Sequence, residues 1–229
     1  SEDSVRKYRF LAKTAGDRKD YPVAIRYYKR FLEFKPDDQR GHYYLGRVYY
    51  ESRDYASARA SLEEALRRDS THVNTNLVLS HVLSKLGDVA AALCLERVVK
   101  KRPGDNKNRR QLADLYRREG RGQQAISHYT QLAANLPDDT EVVEIISLLY
   151  EETGEVSKAL EWRRKLAANQ ALNDRDRLRK SLDAMARLLE EMGDLDAAAK
   201  TLFRLAEVDT VSPVSYTHLR AHETDSYLV

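Results

Sequence analysis

A single cysteine, Cys94, stands in a chain of 229 residues, so no internal disulfide framework holds this protein together. No stretch approaches the ~18 consecutive apolar residues that a membrane span needs. A glycine-rich phosphate loop, a Cys-x-x-Cys pair and a Gly-x-Ser-x-Gly elbow are all missing. Their absence removes the usual sequence signatures of nucleotide binding, dithiol chemistry and serine hydrolysis. His42, His72, His81 and His128 are scattered without ligand spacing and read as structural or solvent-facing histidines. The net charge of +3 is too small to argue for nucleic acid. The chain opens SEDSV, without a methionine or a signal-type segment, so targeting is not legible and the cytoplasm is only a working expectation.

Charge itself is abundant. Charged residues make up 33% of the chain and the hydrophobic set 42%, enough for a buried core under a very polar surface. The two halves differ in sign. Residues 1–113 hold 24 Lys+Arg against 15 Asp+Glu, a net +9, and residues 114–229 hold 15 against 21, a net −6.

The chain also repeats. DYPVAIRYYKRFLEFKPDD from Asp20, DYASARASLEEALRRDS from Asp54 and GRGQQAISHYTQLAANLPDD from Gly120 share one arrangement of turn, small and apolar residues. Aligning such segments gives six units: Val5–Asp38, Gln39–His72, Val73–Asp105, Asn106–Asp139, Thr140–Asn173 and Arg179–Ser212. Most run 34 residues; the third is one residue short, and about five extra residues precede the sixth. Positions 4, 7, 8 and 11 of a unit recur at helical spacing and form one buried stripe. Position 7 reads Leu11, Leu45, Leu79, Leu112, Ile146, Met185, and position 8 is always small: Ala12, Gly46, Ser80, Ala113, Ser147, Ala186. Position 20 is alanine throughout, at Ala24, Ala58, Ala92, Ala125, Ala159 and Ala198. Small residues at these two places let two helices approach where a leucine would hold them apart. Gly87, Gly120, Gly154 and Gly193 fall where a left-handed residue ends a first helix. Pro36, Pro103 and Pro137 close second helices.

Through Leu45, Gly46, Tyr49, Tyr55, Ala58 and Ala65 the second unit resembles the tetratricopeptide repeat (TPR) family, and the resemblance covers almost all of residues 5–212. The fifth and sixth units depart from the pattern: Arg163 occupies the aromatic position 24, and neither has the closing proline. The resemblance implies an all-α stack of helical hairpins in a right-handed superhelical solenoid, with first helices lining a concave face. It also implies a non-catalytic scaffold whose groove holds a peptide or protein segment; the chain is expected to be part of a larger bacterial protein. The alternative reading is the docking region of a larger enzyme whose catalytic domain lies outside this sequence.

Positions 2, 5, 9, 12 and 13 face that groove. The front units offer Arg6, Arg9, Lys13, Arg40, Tyr43, Arg47 and Tyr50; the third offers His81; the fourth offers Arg110 and Arg117; the fifth turns acidic with Glu141, Glu144, Glu151 and Glu152. The groove set taken as partner-binding is therefore Arg9, Lys13, Arg40, Tyr43, Arg47, Tyr50, His81, Arg110 and Arg117. Arg and Tyr are favoured interface anchors, and a field of one sign speeds encounter with an oppositely charged segment. The expected partner is a protein or peptide, acidic in character, rather than nucleic acid. The plainer reading is that repeat helices are simply charged on their wet faces. A helical-repeat RNA binder would carry stacking aromatics at fixed offsets, and only Tyr43 and Tyr50 qualify. The carboxylate clamp of chaperone-tail binders in this family needs two asparagines, but the two frames present Arg9, Lys13, Tyr44, Asn74, Val78 and Tyr43, Arg47, Val78, Lys107, Gln111. The clamp is absent.

No catalytic, cofactor or metal site is expected. Cys94, between Leu93 and Leu95 in a second helix, reads as a buried inert thiol, and Trp162 as a packing residue. His218 and His222 have the i, i+4 spacing of paired metal ligands, yet no glutamate follows the first and no third ligand is in view. Val214–Thr224 instead resembles the translation of a transposase adapter from shotgun DNA libraries, so residues 213–229 are expected to be a non-native or disordered tail.

Overall fold

The computed structural model describes residues 2–168 and 175–210. The expected tail, with His218 and His222, lies outside them. The described residues form twelve α-helices in tandem: α1 (Glu2–Asp17), α2 (Tyr21–Phe34), α3 (Gln39–Glu51), α4 (Tyr55–Arg68), α5 (Val73–Leu86), α6 (Ala91–Lys101), α7 (Asn106–Arg118), α8 (Gly122–Asn135), α9 (Thr140–Glu152), α10 (Val156–Ala168), α11 (Arg175–Glu191) and α12 (Leu195–Thr210). The fold is all-α, as the periodicity predicts. The chain divides between Gly120 and Arg121 into two compact units. In the first, the hairpins α1–α2, α3–α4 and α5–α6 lean on one another in order and α7 packs on α6. In the second, α8 packs on α9, followed by the hairpins α9–α10 and α11–α12.

Helix ends are set by local chemistry. Asp20, Asp38, Asp54, Asp105 and Asp139 each accept a hydrogen bond from a first-turn backbone N–H of the helix that follows, and His72 does the same for α5 through Nδ1. α2, α6 and α8 end two residues before Pro36, Pro103 and Pro137, with the single intervening residue as C-cap. Gly87, Gly120, Gly154 and Gly193 take left-handed φ values of 70–77° between the helices of a pair. At the equivalent places of the first two hairpins stand Lys19 (φ 61°) and Arg53 (φ 65°), side-chain-bearing residues in a glycine conformation.

The core follows the small-residue rule. All six position-20 alanines are buried, as are all six small residues at position 8. A methyl group on Gly46 would meet the Leu62 side chain at 2.6 Å and the Ala58 carbonyl at 3.3 Å, so α3 and α4 touch almost backbone to backbone there. Of the position-7 residues, Leu11 alone is only half-buried. Among the described helices α1 packs mainly on α2. Arg163, at an expected aromatic position, is buried, with its guanidinium on Glu151.

Candidate functional site

On α1, Arg6, Arg9, Phe10 and Lys13 share one face at i, i+3, i+4 and i+7. That face looks across a cleft of about 790 Å³ at Arg40 and Tyr44 of α3, while Tyr28 and Phe31 of α2 line it as well. Tyr28 stacks on Tyr44 with ring centroids 6.1 Å apart. Burial, with the Tyr44 phenol beside it, pushes the Tyr28 hydroxyl up to about 12, so it stays protonated and neutral. Gly41 also borders the cleft, and a Cβ there would strike the Phe31 ring at 2.6 Å. Its lack of a side chain is what lets α3 sit down on α2.

Two aspartates line the cleft, and both are occupied within the fold. Asp38 accepts the Gly41 N–H at 2.6 Å to cap α3, and Asp37 is paired with Arg68. Arg6, Arg9, Lys13 and Arg40 are exposed and take no carboxylate partner among the described residues. The cleft therefore presents unbalanced positive charge beside apolar rings. Phe10 is 69% exposed and Tyr44 40%, and no packing requirement accounts for the exposure of either.

Of the residues expected in the groove, the structure gathers Arg9, Lys13 and Arg40 at this cleft. Arg47 lies about two turns beyond Arg40 on α3, in a 3.2 Å ion pair with Glu51. Tyr43 is half-buried, with its ring edge against His72, and Tyr50 packs between Tyr55 and His81. His81 belongs to a second, smaller cleft of about 200 Å³ with Gln111, Asp114 and Arg118. Burial lowers the His81 pKa, a hydrogen bond with Gln111 partly offsets this, and Lys107 adds to the lowering. Arg110 and Arg117, on α7, line neither cleft. In the second unit the acidic residues of α9 are largely engaged: Glu151 with Arg163, and Glu144 with Arg177 at 3.6 Å.

Phe10 and Tyr44 escaped the sequence reading because both sit at position 6, outside the periodic stripe and outside the groove set. Their recurrence at one register position was the available signal. Cys94 is buried and its thiol is pushed up to about 11 by that burial, which leaves no thiolate for chemistry. Trp162 is half-buried under the Lys165 ammonium, 4.2 Å from the ring centre. No helix among the described residues is long and apolar enough to cross a membrane.

Comparison with known proteins agrees with this architecture. The crystal structure of the MamA protein superposes with a TM-score of 0.61 at 21% identity, over 75% of this chain and 94% of that one. MamA residues 41 to the end from Desulfovibrio magneticus RS-1 give 0.56 at 20% identity, over 75% and 98%. YrrB, described as a TPR protein with an unusual peptide-binding site, gives 0.58 at 24% identity, over 71% and 84%. At these identities the likeness is one of fold. A search of curated proteins found no match. No catalytic domain is identified, and TPR repeats generally serve as protein-interaction scaffolds. The tetratricopeptide repeat profile matches residues 11–73, 77–140 and 110–174, well over half of the sequence, and the chain belongs to the tetratricopeptide repeat family.

Proposed function

We propose that this protein is a non-catalytic scaffold whose α1–α3 cleft holds an acidic segment of a partner protein. One observation carries the reading: four cations without carboxylate partners surround a cleft walled by the exposed rings of Phe10 and Tyr44. Unpaired positive charge attracts carboxylates and steers them in, while the rings and the floor formed by Phe31 take an apolar side chain out of water. The partner segment therefore carries two or three Asp or Glu around one aromatic or aliphatic residue. Arg9, Lys13 and Arg40 contact its carboxylates. Tyr43, Arg47, Tyr50 and His81 continue the groove for a longer segment, and Arg110 and Arg117 extend its positive field.

Fluorescence anisotropy with labelled acidic peptides of that composition tests the reading. The wild-type protein binds them and ignores lysine-substituted counterparts, and Arg9→Glu combined with Lys13→Glu abolishes binding. Equal affinity for acidic and basic peptides, or unchanged binding by the double variant, overturns it. Affinity falls as salt rises from low to physiological strength, because exposed charges are screened over about 8–10 Å.

A further inference from the structure

The cleft asks for an acidic segment with exposed apolar side chains, and the chain itself contains one. The turn between α11 and α12 reads Glu190-Glu191-Met192-Gly193-Asp194-Leu195-Asp196, seven consecutive residues that are all exposed. It holds four carboxylates and no basic residue. Met192 is 47% exposed and Leu195 67%. The turn is held in shape: Gly193, at φ 77°, donates its N–H to Glu190 at 2.9 Å, and Asp194 donates to Leu189 at 2.9 Å. Asp194 spends its side chain capping α12 at the Ala197 N–H, whereas Glu190, Glu191 and Asp196 form no ion pair among the described residues.

No other described hairpin turn combines these properties. The α5–α6 turn exposes Leu86 and Val89, but its one acid, Asp88, is paired with Arg59 at 2.8 Å and Lys85 stands beside it. The α9–α10 turn is acidic, yet Glu151 is held by Arg163, and Glu155 by Lys158 and Gln123. The α1–α2 and α3–α4 turns carry Lys19 and Arg53 among their acids.

We infer that the α11–α12 turn of one copy docks into the α1–α3 cleft of a second copy, so that the protein associates with itself head to tail. Glu190, Glu191 and Asp196 meet Arg6, Arg9, Lys13 and Arg40, while Leu195 and Met192 enter between Phe10 and Tyr44. The turn is already rigid in the free chain, so docking orders little new backbone. The two contacting surfaces differ, so the contact is heterologous, and each copy brings one of each surface to its neighbours. The inference rests on the cleft's preference for acidic, apolar-bearing segments proposed above.

Two variants test it, each altering exposed side chains only, with unchanged helical circular dichroism as the control for folding. One carries Arg9→Ala, Phe10→Ala and Lys13→Ala; the other carries Met192→Ser and Leu195→Ser. Sedimentation velocity of the wild-type chain shows species that grow with concentration and dissolve at high salt. Each variant alone is monomeric, and an equimolar mixture forms a one-to-one dimer and nothing larger, because each partner retains one working surface. A wild-type chain that stays monomeric at its highest soluble concentration overturns the inference, as does either variant associating like wild type. If the wild-type chain is monomeric yet binds acidic peptides through Arg9 and Lys13, the self-docking fails while the peptide-binding reading stands. If neither occurs, both fail.

Discussion

Inside the α9–α10 hairpin, Arg163 donates from Nε and Nη2 to Oε1 of Glu151, at 3.2 and 3.1 Å, with side chains 6% and 22% exposed. A buried guanidinium thus occupies a position where Tyr28 and Tyr129 place rings in other hairpins. Desolvating two charges offsets most of their attraction, so the pair adds little net stability, but removing one partner strands the other. Glu151→Ala is expected to destabilise the protein by about 3 kcal/mol. Arg163→Tyr together with Glu151→Leu restores a ring and an apolar neighbour and lands within about 1 kcal/mol of wild type, or above it. Urea denaturation of the single and double variants measures both, and additive losses would contradict the account.

Arg53 and Lys19 adopt a backbone conformation that glycine fills in the later hairpins. A Cβ in the left-handed region costs about 1 kcal/mol. Arg53→Gly is therefore expected to raise the melting temperature, despite the extra freedom glycine gives the unfolded chain. Gly154→Ala, the reverse change, lowers it. Thermal melts followed by circular dichroism decide, and a destabilised Arg53→Gly protein would show that the Arg53 side chain contributes more than its backbone costs.

Close approach of α3 and α4 depends on Gly46. With 2.6 Å between a new Cβ and Leu62, Gly46→Ala forces the helices apart and costs about 1–3 kcal/mol. Repeats couple mainly to their neighbours, so hydrogen exchange should quicken in α3 and α4 first, then in α2 and α5. Uniform loss of protection across the chain would contradict this.

His81 supplies a pH dependence. Its pKa lies below the ordinary 6.5, chiefly through burial, so the unfolded chain takes up a proton at a higher pH than the folded one. The stability tied to its neutral form is fully present above pH 6.5 and is lost as pH falls through the depressed folded value. His81→Gln removes that loss. Denaturation midpoints of wild type and variant, compared between neutral and mildly acidic pH, should converge at neutral pH and separate in acid.

Much of this architecture was legible from spacing alone. Ala58 and Gly46 lie on helices adjacent in sequence, so a repeat period and two small positions predict a hairpin and its closest contact without further geometry. Turn glycines and closing prolines act through their own φ angles and needed no partner to be read. The charge of α1 and α3 was equally plain, because composition along a helix face is a one-dimensional property.

Three matters depended on the packed structure. Whether a charge is available to a partner is set by what sits opposite it: Arg47 is met by Glu51, Glu151 by Arg163, and Asp37 by Arg68, whereas Arg9 and Arg40 meet no carboxylate. The cleft itself needs α1, α2 and α3 together, and Phe10 and Tyr44 become its walls only once Tyr28 and Phe31 lie between them. Arg163 reads in sequence as a break in the repeat, and only the fold shows it paired within its own hairpin. Periodicity determines which face of a helix is buried, because burial there follows from neighbours at known offsets. Pairing across helices depends on distances that the offsets do not contain.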